Sequence, residues 1–518
     1  MEELPAISIT SISQADWEQS PASVKQSVET LIQRLTQLEV EMQQMRAENQ
    51  QLGAENQLLR EQLNRTSANS SQPPSQDPPQ GFKPSRREKS GKRRGAQPGH
   101  EGHGRTLYPL EQCQRVTDHY PTECWRCGSE LAGEDADPSR YQIVEIPAIT
   151  PEIAEHRFHA LTCKCCGTRT RAYDPAIVDG SGYGERVVAH VAILSSLYRQ
   201  SQRMVQQLLS ELFGIDLALG SVNRLRREAS EAVADAVAEA HQYVQQQALV
   251  GMDETSYEQG NADGQNPDHR QGWLWVMVTP WVCYFQVFLS RSQQTATTLL
   301  GTANTGNVLS DRYSAYSWIE LWRRQICWAH LKRDFTQIAE RVGVSAGLGQ
   351  NLLAEQKRLF ELWYQVRDGT LTRPDFVQAV APIRVQIQSL LTEGASYPIG
   401  TRENTPLAKT VRTCQQLLKV EPAMWLFVTT AAVEPTNNAS ERALRPAVLW
   451  RRNSFGSQSE AGSEFVARLL TVVTSLRAQQ RHVLEYLTHA CRAARQGERA
   501  PSILPDAIKV QGVRVPAA

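Results

Sequence analysis

The 518-residue sequence has no net charge: 55 Lys and Arg residues balance 55 Asp and Glu. Overall charge therefore selects no class of partner, and affinity for a polyanion has to come from local patches. A long uninterrupted apolar run is also lacking. The most apolar window, WLWVMVTPWVCYFQVFL over 273–289, is short for a membrane span and is broken by Pro280, so it reads as a hairpin of two strands. The opening MEELPAISIT is acidic and has neither the basic start nor the apolar centre of a signal peptide. These absences lead to the expectation of a cytoplasmic chain with no membrane partner. Its ten cysteines then belong to a reducing compartment, where paired cysteines suggest metal before disulfide.

What is present is organised in blocks. Val28, Leu35, Met42, Asn49, Asn56 and Leu63 fall on one heptad line, and Leu31, Leu38, Met45, Leu52 and Leu59 fall three residues later. The pattern predicts a coiled coil over 24–63. Its two asparagines on the first line cost stability but favour an in-register parallel homodimer. Residues 64–105 read as a disordered linker and basic arm: NRTSANSSQPPSQDPPQ cannot form a core, and Lys83, Arg86, Arg87, Lys89, Lys92, Arg93, Arg94 and Arg105 follow against only Glu88 and Glu101. Such an arm suits nucleic acid, with Arg86, Arg87, Lys92, Arg93 and Arg94 as the contacts.

Residues 106–175 form a small cysteine module. Cys124-Trp-Arg-Cys127-Gly128 and Cys163-Lys-Cys-Cys166-Gly167 are two knuckles that offer four thiolates, Cys124, Cys127, Cys163 and Cys166, to a tetrahedral structural Zn²⁺. Residues 186–247 are helical and resemble a DNA-binding helix-turn-helix, with a helix end at Gly214 and a new start near Ser221 as N-cap. From 248 the pattern turns to strands: 248–253, a hairpin over 273–279 and 282–289, a helix from Gln293 to Leu300, and a strand Asn307–Ser310. The fold class this implies is multidomain α/β. The block 248–330 is the first part of an α/β core, 331–430 a helical insertion, 431–490 its C-terminal part, and 491–518 a tail.

Two carboxylates sit where buried strands run out. ALVGMDETSY, 248–257, is apolar up to Met252 and then meets Asp253; the strand 307–310 meets Asp311. On adjacent parallel strands the two would share one edge of a sheet, where divalent cations bind oxygen ligands. Glu254, on the alternate face of its strand, cannot share Asp253's direction. A third acid could come from Glu441 in PTNNASERALRPAVLWRRNSF, but Asn438-Ala-Ser-Glu441 also fits a capping box, and spacing alone favours the cap.

Here the motifs resemble the insertion-sequence-66 transposases of the DDE (Asp-Asp-Glu) group. The likeness is carried in order by Asn69-Ser-Ser-Gln-Pro-Pro-Ser75, Gln97-Pro-Gly-His100, the two knuckles, Asp253-Glu-Thr255, Asp311-x-Tyr313-x-x-Tyr316, Cys327-Trp-Ala-His330 with Arg333 and Phe335, and Asn437-Asn438-x-x-Glu441-Arg442-Ala-Leu-Arg445-Pro446. The resemblance implies a retroviral-integrase-like, RNase-H-like core in which Asp253, Asp311 and Glu441 hold Mg²⁺ or Mn²⁺. It implies cutting of element ends and joining of the 3′-hydroxyl to target DNA. Arg442, Arg445, Arg451 and Arg452 would hold phosphates, and Arg312, standing where a glycine is usual, would contact phosphate or obstruct the metal. The expected partners are terminal inverted repeats, target DNA, a second subunit and accessory proteins of the element, in a bacterial, nucleoid-associated setting. The competing readings are an inactive protein that binds element ends and a structure-selective nuclease.

Overall fold

The computed structural model describes residues 13–63, 70–71, 104–178 and 180–506. The basic arm up to residue 103, with Arg86, Arg87, Lys92, Arg93 and Arg94, lies outside the described residues, as do most of the linker and residues 507–518 of the tail. The chain divides into two compact units, Met1–Pro84 and Ser85–Ala518.

In the first unit a short helix, Gln14–Gln19, precedes helix α1 (Ala22–Leu63). The heptad residues Leu31, Leu35, Leu38, Met42, Met45 and Leu52 are all exposed along α1.

The second unit opens with a stretch in which no described residue from 104 to 175 is buried. It contains one small antiparallel hairpin, Ala160–Thr162 with Arg169–Arg171. Four helices follow: α2 (Glu185–Ser196), α3 (Gln202–Phe213), α4 (Leu219–Ala232) and α5 (Ala234–Gln245). Helix α3 is capped by the Ser201 hydroxyl and ends on Gly214 at φ 62°, a left-handed position that costs glycine little. Helix α4 departs from expectation. It starts at Leu219 with Ala218 as N-cap and no side-chain cap, so Ser221 sits inside its first turn. Leu217, 3% exposed, anchors the chain in the core and turns it into the helix earlier than the serine would.

The centre of the unit is a five-stranded sheet: β1 (Leu249–Ser256), β2 (Trp273–Val278), β3 (Cys283–Phe288), β4 (Asn307–Ser310) and β5 (Arg324–Ile326), with α6 (Gln293–Leu300) between β3 and β4. The order is β3-β2-β1-β4-β5. Strand β1 pairs antiparallel with β2 and β2 with β3, whereas β1–β4 and β4–β5 are parallel. Strand β2 reads WLWVMV without alternation because both of its faces are covered. Both edges are closed by side chains. The N–H groups of Cys283 and Phe285 donate to Ser475 Oγ and Thr471 Oγ1 of α12 (Glu460–Ala478), and Gln325 on β5 bonds Met424 O and the Phe427 N–H. An unpaired edge would invite another strand; on β3 the Cys283 and Phe285 N–H groups are used internally.

After β5 come α7 (Trp328–Ala339), α8 (Val344–Asp368), α9 (Arg373–Ser396) and α10 (Pro406–Lys419). These helices bury their own apolar cluster around Trp328, whose ring meets Phe335, Phe360, Trp425 and Phe427. Strands β1 to β4 contribute to a separate cluster shared with α2, α4, α5, α12, α11 (Asn438–Ser454) and α13 (Val483–Arg495), whereas Ile326 of β5 joins the Trp328 cluster.

The packing of α11 on β1 depends on Gly251. A Cβ there would stand 2.5 Å from Ser440 Oγ and 3.0 Å from Asn437 Oδ1, so only glycine lets the helix start approach the strand. We expect Gly251→Ala to lower stability by about 1–3 kcal/mol. Chemical denaturation would show this as a shifted midpoint, while Gly220→Ala, where the added methyl meets nothing within 4 Å, leaves stability unchanged or improved. Equal midpoints for the two variants would contradict the close approach.

Candidate active site

Asp253 does not end its strand as the apolar run suggests. Strand β1 continues to Ser256, paired with β2 through Asp253↔Val276 and Glu254↔Trp275. What ends is the parallel pairing with β4, whose last register is Gly251↔Leu309. Asp253 therefore projects just past the point where β4 gives out, and Asp311 is the residue that follows β4. Both are half-buried. Asp253 Oδ1 accepts the Glu254 N–H at 2.9 Å, and Asp311 Oδ1 accepts the Tyr313 N–H at 2.9 Å, turning the chain sharply away from the strand.

The turn after Asp311 is braced from β5. Arg324 is 2% exposed, and its guanidinium donates to Ser310 Oγ, Asp311 O and Tyr316 O at 3.2, 2.8 and 3.0 Å. Burial pushes its pKa down to about 10, opposed by Asp311 and Tyr316.

The third acid arrives on α11. Asn437 is 1% exposed and acts as the joint. Its Nδ2 donates to Met252 O at 2.7 Å, its Oδ1 accepts from Ser440 Oγ at 2.7 Å, and its backbone N–H points at Cys327 Sγ, 3.1 Å away. The Trp328 N–H donates to Pro435 O, 2.9 Å away, which ties the start of α7 to the same loop. The expected capping box on Asn438 does not form. Asn437 is the N-cap residue, and its amide is committed to Met252 and Ser440. Glu441 does not fold back on the helix start: its Oε1 is buried without a hydrogen-bond partner. That oxygen faces His330 Nδ1 and Arg333 Nη2, each 3.7 Å away.

Asp253 feels its neighbours. Desolvation pushes the Asp253 carboxyl well above the usual range, and Glu254, Asp311 and Glu441 add to it, against the Glu254 N–H. The oxygens of Asp253, Asp311 and Glu441 do not, however, converge within the reach of a single ion; the ligand atoms that lie within 4.8 Å of one another are those of Cys327, His330 and Glu441. Glu254 points the other way, as strand alternation requires. Arg291 Nε and Nη2 donate to its Oε1 at 2.8 and 2.7 Å, and the Tyr316 hydroxyl donates to Oε2. Arg291 is itself held over the rings of Tyr313 and Trp273, at 3.8 and 4.6 Å.

The cations are distributed unequally. Arg312 forms a fork with Asp334, both bonds 3.0 Å, and donates to Gln416 Oε1 at 3.0 Å. It is turned toward α7 and α10. Arg451 is half-buried and donates to Thr255 Oγ1, Ser256 Oγ and Ser256 O, so it braces the end of β1. Arg442, Arg445 and Arg452 are exposed.

The two cysteine knuckles each form, and they match. Cys124 N–H bonds Ser129 O and Gly128 N–H bonds Cys124 O; Cys163 and Gly167 repeat both bonds with Thr168 and Cys163. Gly128 and Gly167 take φ 72° and 73°, as such turns require. Thr168 helps lower the Cys166 thiol to about 7. No three of the four thiols share one point within ligand distance, and Cys165 is exposed beside them.

Gly251 and Asn437 were the site residues whose roles sequence reasoning missed. A glycine inside an apolar strand is the signal for the first; the second stands in the Asn437-Asn438-x-x-Glu441 motif, but nothing local says what its amide bonds.

The clustered charge has a consequence for stability. A folded pKa above the unfolded one means stability is full below the unfolded value and is lost as pH rises through the folded value. In chelator, the thermal stability of the wild type should therefore fall relative to Asp253→Asn as pH rises from about 4. Mg²⁺ or Mn²⁺ should close the gap by stabilising the wild type more. Identical melting at every pH, with and without cation, would contradict the cluster.

Among comparisons with known proteins, a model for a family of unknown function (DUF6444) matches residues 19–106. An uncharacterized protein of Sinorhizobium fredii is 26% identical over 212 residues, a match that covers 38% of this chain and 38% of that protein. The match thus spans well under half the length of that relative. No described helix is long and apolar enough to cross a membrane. The model described as transposase IS66 family matches residues 180–465, a stretch that holds the whole sheet, Asp253, Asp311 and Glu441. With more than half of its length matched, the chain belongs to the IS66 family of transposases.

Proposed function

We propose that this chain is the DNA transposase of an insertion sequence, cutting element ends and joining the freed 3′-hydroxyl to target DNA, with Asp253, Asp311 and Glu441 as the metal-binding acids. The observation that carries the reading is that Asp311 and the helix-borne Glu441 lie near enough to Asp253 to raise its carboxyl further, beyond the effect of burial and of Glu254, while the inner oxygen of Glu441 has no hydrogen-bond partner. The strand order, three antiparallel strands leading into two parallel ones, supports an RNase-H-like core interrupted after β5 by α7 to α10.

The donor set fits a hard divalent cation. Three carboxylates supply oxygen only, and a cation would offset the burial and the neighbouring carboxylates that together lift Asp253. When bound, Mg²⁺ or Mn²⁺ supplies charge neutralisation at the attacking and leaving oxygens of a phosphodiester. The chain's own residues set the geometry. Asn437 holds the Glu441 helix to β1, Arg324 fixes the turn carrying Asp311, and Arg291 pairs with Glu254. The chemistry is two in-line displacements without a covalent protein–DNA intermediate: water breaks the strand at the element end, then the 3′-hydroxyl forms a new phosphodiester as a target bond breaks.

Arg442, Arg445 and Arg452 would contact phosphate on the outer side of α11, with Arg451 positioning β1 beneath them. The basic arm and α2 to α5 would bind the terminal repeats. A zinc ion would close the two matched knuckles, a reading supported by the lack of any buried core between 104 and 175. The exposed leucine stripe of α1 would pair two subunits, which holding two ends at one target demands. Accessory proteins of the element would complete the assembly.

The test is cleavage and joining of labelled element-end DNA in Mg²⁺, with accessory proteins supplied. Wild type should nick and join, and Asp253→Asn should bind the same DNA with activity reduced at least about a hundredfold. Binding without cutting by both proteins would favour an end-binding protein without catalysis. Cutting with no joined product would favour a nuclease.

A further inference from the structure

Glu441 has a second set of neighbours besides the aspartates. Cys327 is the N-cap residue of α7, and His330 follows three residues later on the same side of that helix. One ligand atom each from Cys327, His330 and Glu441 lies within 4.8 Å of the others, and no other three such groups do so among the described residues. Two of these side chains carry a buried atom without a hydrogen-bond partner, His330 Nδ1 and Glu441 Oε1, and the two atoms face each other at 3.7 Å. That separation is too long for a hydrogen bond, which needs about 2.7–3.2 Å. It is close to the roughly 3.4 Å that separates two ligands on one tetrahedral ion with bonds near 2.1 Å. The backbone N–H of Asn437, 3.1 Å from Cys327 Sγ, points a donor at the sulfur and offsets part of the burial that pushes the thiol up to about 11.

The chemistry of this set differs from that of the three acids. A thiol, an imidazole and one carboxylate form a borderline-soft group, which selects a late transition ion such as Zn²⁺ over Mg²⁺. Thiolate, carboxylate and neutral imidazole also balance a doubly charged cation, so the loaded pocket carries no net charge. Arg333, 3.7 Å from the same Glu441 oxygen, is the fixed cation with which an ion would compete.

We propose that Cys327, His330 and Glu441 form a second metal site for Zn²⁺ or a similar transition ion, and that its occupancy draws Glu441 away from Asp253 and Asp311. The first half stands on the cluster alone; the second rests on the reading of Glu441 as a catalytic ligand. Loading releases the Cys327 thiol proton to solvent, and three protein ligands leave a fourth position for water. Zinc at this site would act as an inhibitor that competes with Mg²⁺ for one carboxylate.

The experiment uses the full chain, stripped by chelator and reloaded with Zn²⁺ alone. Zinc per chain is counted after gel filtration for wild type, Cys327→Ser and His330→Gln, the cysteine knuckles being a common background. Each variant should hold one ion fewer than wild type, and Co²⁺ loading should show weaker sulfur-to-cobalt charge transfer in Cys327→Ser. Unfolding in chelator checks that each variant is folded, and Cys327→Ala serves as the second choice at that position. Equal zinc counts in all folded proteins overturn the site. The second half is read from Mg²⁺-supported cleavage, relative to each protein's own zinc-free rate. Half-inhibition should need at least about tenfold more Zn²⁺ in Cys327→Ser. One ion lost with unchanged inhibition overturns the sharing of Glu441. A wild type that never cuts DNA counts against the proposed function, while the zinc count still decides the site.

Discussion

The close seating of the α11 start on β1 is the constraint on which the site depends. Asn437 reaches the carbonyl of Met252 with its amide and Cys327 with its backbone N–H, and Gly251 leaves room for Ser440 beneath it. One residue thereby joins the central strand, the helix after β5 and the helix that carries Glu441. Because these segments are separated by long stretches of chain, little besides such a buried joint can bring their acids to one place. Leaving its polar groups unmade would cost about 1–3 kcal/mol each, so the joint is held in one geometry.

Placing like charges around that joint works against stability. Asp253 sits under desolvation with Glu254, Asp311 and Glu441 all raising its pKa. The surrounding structure limits the damage by giving the neighbours separate partners. Glu254 is turned to Arg291 and Tyr316, and Arg324 fixes the backbone of Asp311. Even so, burial leaves Glu254 raised despite Arg291. What remains without a hydrogen bond is the inner oxygen of Glu441, which has only Arg333 and His330 at 3.7 Å. A core selected for stability alone would avoid this arrangement; a site that gathers cations requires it.

Much of this was legible in the residues. Apolar runs locate the four strands read from them, and the helix expected from about Gln293 to Leu300 is present. Strand alternation separated Glu254 from Asp253 before any coordinates, because neighbours on a strand face opposite ways. The parts that were not legible depend on tertiary contacts. Nothing in Asn438-Ala-Ser-Glu441 says that Asn437 will be drawn to Met252, so local spacing favoured a cap that the packing forbids. Arg312 shows the same limit: its partner Asp334 lies 22 residues away on α7. Ser221 failed as an N-cap because a buried leucine upstream set where the helix begins.

The most direct measurement is the position of Mn²⁺ by anomalous diffraction from crystals of the full chain with element-end DNA. Manganese bounded by Asp253 and Asp311, with Glu441 reaching the same ions, is the predicted result. Crystals in which Mn²⁺ is present but avoids all three carboxylates would contradict the assignment of these acids as the catalytic centre.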